Sequence, residues 1–185
     1  ALFFFLSLFL ATALESGPVS VGLAFLPMTV AIAIAARLAG GPLAAVRPDR
    51  HAVTGSLLVA AGLAVLTRVG PDAGYADTVL PGVVLAGFGL GLAFVPLTTA
   101  AVSSADPSDS GIASALFNAG QQLGGAIGLA VLTTASATRT ARLVSEGESA
   151  TAAATAGWSL GFAIGAATAL TGAVIAAITL RPPKV

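Results

Sequence analysis

Asn118, Gln121 and Gln122 are the side chains in this sequence whose type and spacing could do chemistry, and that chemistry is hydrogen bonding, not bond making. They lie within GIASALFNAGQQLGGAIGLAVLTTA, residues 111–135, a run without one charge. At about 100° per helical residue, Asn118, Gln121, Gln122 and Gly125 share one face. Gly120, Gly124 and Gly128, at spacing four, share another about a third of a turn away. A primary amide turned to lipid costs several kcal/mol in unmet hydrogen bonds, so the amide face is expected to look into protein or a wet cavity. The glycine face is of the kind that admits a neighbouring helix closely. Thr98 and Thr99 are further candidates to line such a cavity, although membrane threonines often bond the carbonyl one turn back. Phe3, Phe4, Phe5 and Phe9 could offer an aromatic wall or simply pack.

Other chemistries lack their residues. There is no cysteine, and His51 is the single histidine, placed at a membrane edge beside Arg50, where an ordinary interfacial role is expected. Neither a thiol nucleophile nor a histidine metal cluster is available, no cofactor or metal is implied, and no pair of carboxylates lies at membrane depth. An enzyme is therefore not expected. Eight Lys and Arg balance eight Asp and Glu, which argues against a nucleic-acid partner.

The elements that must position these residues are membrane helices. Of the 185 residues 56% are hydrophobic and 9% charged, with a mean hydropathy of +0.97, whereas soluble domains carry about 25% charged residues. The pattern predicts an all-α, polytopic membrane helix bundle with spans at about 2–14, 19–38, 52–69, 78–102, 111–135 and 158–180. The first, already apolar at its start and lacking a basic n-region, reads as the remainder of a truncated helix in a fragment of a longer chain; a signal peptide ending near residues 11–13 is the alternative. Pro27 and Pro96 fall inside spans, where proline marks a kink or hinge. Asp106 and Asp109 precede the start of the amide helix, where carboxylates suit the helix dipole. After residue 135, Arg139, Arg142, Glu146 and Glu148 suggest a helical extension and a loop, and Trp158 opens the last span at an interfacial level. Gly157, Gly161 and Gly165 repeat the spacing-four stripe.

Six alternating spans place the loop at 39–51, the link at 103–110 and the C-terminus on one side. Arg37, Arg47, Arg50, Arg181 and Lys184 then face Arg68, Arg139 and Arg142 across the membrane. This bias makes the first side cytoplasmic. GLAFLPMT at 22–29 echoes GLAFVPLT at 91–98, and GLAVLT recurs at 62–67 and 128–133. The echoes match span two with four and three with five, which is not the register of an inverted repeat, and follow from a small Gly/Ala/Leu/Val alphabet.

Gly111-Ile-Ala-Ser-Ala-Leu-Phe-Asn118 followed by Gln122-Leu-Gly-Gly-Ala-Ile-Gly128-Leu-Ala closely resembles a segment of the major facilitator superfamily, in its fourteen-span drug:proton antiporter branch. Pro18, Gly22-Leu23 and Leu26-Pro27 resemble that branch's turn into the next helix. The loop Gly41-Pro-Leu-Ala-Ala-Val-Arg47-Pro-Asp-Arg50 resembles a worn copy of the superfamily's cytoplasmic loop motif. Ala45 and Val46 stand where that motif has its acid and base, and Pro48 replaces its glycine. Gln121 stands where many relatives have an arginine. The resemblance implies the C-terminal six-helix half of a transporter, with spans one, two, four and five around a central cavity and three and six nearer lipid. It also implies the partners: the lipid bilayer, an N-terminal helix bundle outside this sequence, a small amphipathic substrate, and protons. No Asp or Glu lies at membrane depth between residues 19 and 180, so a proton-carrying carboxylate is expected in the other half. The implied function is proton-coupled efflux by alternating access in the plasma membrane, with the C-terminus cytoplasmic. A membrane scaffold that carries nothing, or a transporter of another solute on the same fold, are the alternatives.

Overall fold

The computed structural model describes residues 2–14, 16–42, 48–103, 106 and 109–180. Those residues are helical with short connections, and no strand occurs among them. The helices are α1 (Leu2–Thr12), α2 (Pro18–Ala24), α3 (Leu26–Gly40), α4 (Pro48–Leu66), α5 (Leu80–Ser103), α6 (Ser110–Ser145) and α7 (Ala150–Thr179), with a π-helical turn at Tyr75–Val79. Four stretches are long and apolar enough to cross a membrane: Pro18–Gly40, Tyr75–Thr99, Ser110–Ser145 and Ala150–Thr179. The 11-residue α1 is apolar but shorter, and the 19-residue α4 opens on Asp49, Arg50 and His51.

Local chemistry sets the breaks. Pro27 sits in the first turn of α3, where its missing N–H leaves nothing unmet. The helix assignment is interrupted two residues earlier at Phe25, whose N–H bonds the Gly22 carbonyl at 3.2 Å while its φ of −88° and ψ of −10° stay right-handed helical. The stretch around Pro27 is thus divided into two abutting helices, α2 and α3. Pro96, by contrast, is buried inside an α5 that runs on without a break. At the head of α5 the Leu80 N–H reaches back to the Tyr75 carbonyl, closing the π-helical turn just before Pro81, which has no N–H to donate. Between α6 and α7, Gly147 takes φ +95°, Glu148 N–H bonds the Leu143 carbonyl at 3.0 Å, and Ser149 caps α7 by accepting the Ala152 N–H at 3.2 Å. These few residues fold α6 and α7 into a hairpin.

Neighbours and directions follow from paired positions. A Cβ at Gly87 would meet Met28, and one at Gly91 would meet Ile32, so α3 runs parallel to α5. Gly62 faces Gly82 and Ala86, and Gly55 faces Gly89 and Ala93, so α4 runs antiparallel to α5. Ser159 Oγ donates to the Thr67 carbonyl at 2.6 Å and Gly165 meets Leu63, which sets α7 antiparallel to α4. Phe5 packs edge to face on Phe162 with centroids 5.9 Å apart, and Phe9 on Trp158 at 6.3 Å, which brings α1 antiparallel onto α7. The core runs through Phe5, Leu6, Phe9, Leu10, Met28, Leu66, Val79, Val83 and Phe162. Lipid tails are as apolar as these side chains, so close packing and interhelical hydrogen bonds, more than expulsion of water, hold such a bundle together.

Candidate functional site

α6 is one helix of 36 residues, and its two halves live in different surroundings. In the second half Leu132 and Ser136 are buried, and Thr140 Oγ1 donates to the Ser136 carbonyl at 3.0 Å and the Ala153 carbonyl of α7 at 3.2 Å. In the first half, from Gly111 to Leu123, no residue is buried. A Cβ at Gly120, Gly124, Gly125 or Gly128 would meet nothing within 4 Å.

The two halves share a face. Five helical turns are about 18 residues, so Asn118 stands above Ser136 and Gln122 above Thr140. The amide face is thus the α7-facing side of α6, continued past the point where the helices part. Ile112, Leu116, Leu123 and Ile127 occupy the opposite face and are 64–73% exposed. Asn118, Gln121 and Gln122 are all exposed. Asn118 Nδ2 donates to the Ser114 carbonyl at 3.1 Å, one turn back, which leaves its carbonyl oxygen free to accept. Among the described residues no hydrogen bond ties Gln121 or Gln122 to another side chain. The resulting surface donates and accepts hydrogen bonds and carries no charge.

The threonines are occupied locally. Thr98 Oγ1 donates to the Phe94 carbonyl at 2.8 Å and Thr99 Oγ1 to the Val95 carbonyl at 2.9 Å. Each retains only acceptor capacity for a ligand, and neither is hydrogen-bonded to the amides of α6. The phenylalanines divide: Phe5 and Phe9 are core, while Phe3 and Phe4 are exposed, Phe3 stacking on Phe25 at 5.1 Å. His51 is packed among protein neighbours, at 7% exposure. Gly41 and Arg50 are exposed at the two ends of their loop, and Arg47 lies outside the described residues.

The two sequence-marked glycine stripes part company. On α7, a Cβ at Gly157 would strike Thr140 and the Ser136 carbonyl, one at Gly161 would strike the Phe5 ring at 2.6 Å, and Gly165 makes ordinary contact with Leu63 at 3.4 Å. On α6, a Cβ at Gly120, Gly124 or Gly128 would meet no atom of the described residues within 4 Å. A third close seam, Gly55 and Gly62 against Gly82 and Gly89, carries no part in the sequence-derived site. Its signal was the seven-residue interval that both pairs share, two helical turns on one face.

Comparison with known proteins adds the lineage. The family described as Major Facilitator Superfamily matches residues 1–129, which takes in the whole amide face. The chain is 37% identical over 125 residues to the puromycin resistance protein pur8 of Streptomyces alboniger, covering 66% of this chain and 25% of that protein. It is 30% identical over 122 residues to a multidrug resistance protein B homolog of Mycobacterium tuberculosis (strain ATCC 25618 / H37Rv), covering 65% of this chain and 23% of that protein. The chain thus spans about a quarter of the length of these relatives.

Proposed function

This chain belongs to the major facilitator superfamily, a family of transporters and not of enzymes, and from that premise we propose that it forms the C-terminal six-helix half of an exporter of amphipathic compounds. The observation that carries the reading is the amide face of α6, uncharged, exposed and aligned with the α7-facing side of its helix. A cavity wall with hydrogen-bonding groups but no fixed charge accepts apolar molecules of varied shape, because no ion pair sets the fit. The printed names of the two relatives, resistance proteins for puromycin and for multiple drugs, support export of such compounds.

In this reading a second bundle outside these residues rocks against this one around the cavity, alternating its access. The exposed Gly120, Gly124 and Gly128 stripe and the Ile112, Leu116, Leu123 and Ile127 face of α6 are where that bundle, or lipid, covers the helix. Protons drive the export, and their carboxylate lies in the other half, since this chain has no acid at membrane depth. The bundle sits in the plasma membrane with the 39–51 loop and the C-terminus cytoplasmic, as the distribution of Arg and Lys supports.

The test is export by the full-length protein carrying Asn118→Leu together with Gln122→Leu, substitutions that keep bulk, remove the hydrogen bonds of these two amides and leave Gln121 in place. Export is expected to fall at least about tenfold for substrates that use both amides, the loss of about 1.4 kcal/mol or more. Wild-type export of every substrate by a normally expressed double variant would sink the proposal.

A further inference from the structure

Beyond the transport pathway, we infer that the groove between α6 and α7 near their shared turn is a binding site for the phosphate headgroup of an anionic phospholipid. The groove has a volume of about 670 Å³, opens to the surface, and is lined by Thr138, Arg139 and Arg142 from α6 and Ser159, Leu160 and Ala163 from α7. Its composition is split along its length. The pairing of Thr140 with Ala153 and of Gly157 with Ser136 sets the register, so the end nearer the turn presents the two guanidinium groups and the far end presents Leu160 and Ala163.

Arg139 is half-buried, and among the described residues no carboxylate lies within ion-pair distance of it. Arg142 pairs with Glu146 at 3.3 Å, but both side chains are more than half exposed, at 60% and 54%. A pair so exposed is worth little and yields readily to a better anion. Ser159 spends its proton on the Thr67 carbonyl at 2.6 Å, so the free donors of the groove are the guanidinium N–H groups and the Thr138 hydroxyl. Guanidinium groups match phosphate oxygens in two-point geometry.

Depth argues for a lipid source. Arg139 and Arg142 are the first charges after an uncharged run that begins at Gly111, and Trp158, of the type favoured at the membrane–water boundary, stands next in sequence to Ser159. The cationic end of the groove is therefore at headgroup level. Its apolar end, at Leu160 and Ala163, runs on along α7 toward the membrane interior, where an acyl chain would lie. A recess at this level that presents two guanidinium groups can pair with the phosphate of an anionic headgroup by charge and two-point hydrogen bonding.

The experiment is native mass spectrometry of the full-length protein, stripped of lipid in detergent and titrated with phosphatidylglycerol. Wild type is expected to retain the lipid, and Arg139→Gln with Arg142→Gln to weaken retention about tenfold or more. Arg139→Lys with Arg142→Lys, which keeps the charge and loses the fork, is expected to fall between. Ala163→Phe fills the apolar end without touching a charge and is expected to weaken retention as well. Equal retention by wild type and the Gln variant, or by wild type and Ala163→Phe, overturns the inference. So does release of the lipid by millimolar inorganic phosphate, which would make this a site for the free anion.

Discussion

Gly62 of α4 and Ala86 of α5 meet backbone to backbone: a Cβ on Gly62 would stand 2.5 Å from the Ala86 nitrogen and 2.6 Å from the Gly82 carbonyl oxygen. Main-chain atoms of two packed helices cannot turn aside as a flexible side-chain end can, so any side chain here must push the helices apart. Gly62→Leu is expected to destabilise by about 1–3 kcal/mol or more. Gly172→Leu, at a position that meets nothing within 4 Å, is expected to be neutral. Thermal unfolding of the two variants in the same detergent checks this, and equal midpoints would remove the seam from the account of the fold.

Tyr75 holds the other structural junction. Its hydroxyl donates to the Ala24 carbonyl at 2.8 Å, tying the π-helical turn ahead of α5 to the last residue of α2, beside the helix boundary at Phe25. Tyr75→Phe keeps the ring and leaves that carbonyl without the hydroxyl. A cost of about 1 kcal/mol is expected, together with faster amide exchange around residues 22–29. Unchanged exchange there would mean that the hydrogen bond does not brace the boundary.

The hydroxyls of Thr98 and Thr99 are bound to the carbonyls of Phe94 and Val95 in their own helix. Of the two groups of cavity candidates, the threonines therefore have less to offer a ligand than the amides. Thr98→Val in the full-length protein is expected to change export less than about twofold, against about tenfold for loss of both amides. A Thr98→Val loss as large as that of the amide double variant would place the threonine, rather than α6, at the centre of recognition.

The residues legible in the sequence were those whose chemistry is unusual for their surroundings. Amides in an uncharged apolar run stand out because lipid penalises them, and the side of α6 they occupy follows from helical period alone. Proline marked both Pro27 and Pro96 in the sequence, yet only Pro27 adjoins a helix boundary, while α5, flanked by α3 and α4, runs on through Pro96. Which glycines touch was not legible. Gly157 and Gly124 sit in similar spacing-four stripes, and only the fold decides that one meets Ser136 and Thr140 while the other meets nothing within 4 Å among the described residues. The burial of His51 was hidden for the same reason: which residues pack on the charged end of a span is set by the fold.

The stripe on α6 supplies the last prediction. Gly124 and Gly172 both meet nothing within 4 Å among the described residues, so a bulky side chain at either should be equally tolerated if nothing else covers them. If a second bundle seats on the amide helix, they must differ. Gly124→Ile is then expected to lower the thermal stability or the export rate of the full-length protein, by about 1–3 kcal/mol where packed backbone is forced apart, while Gly172→Ile leaves both unchanged. Equal behaviour of the two variants would mean that the Gly120, Gly124 and Gly128 face is turned to lipid. The seam with the second bundle would then have to run along another side of α6.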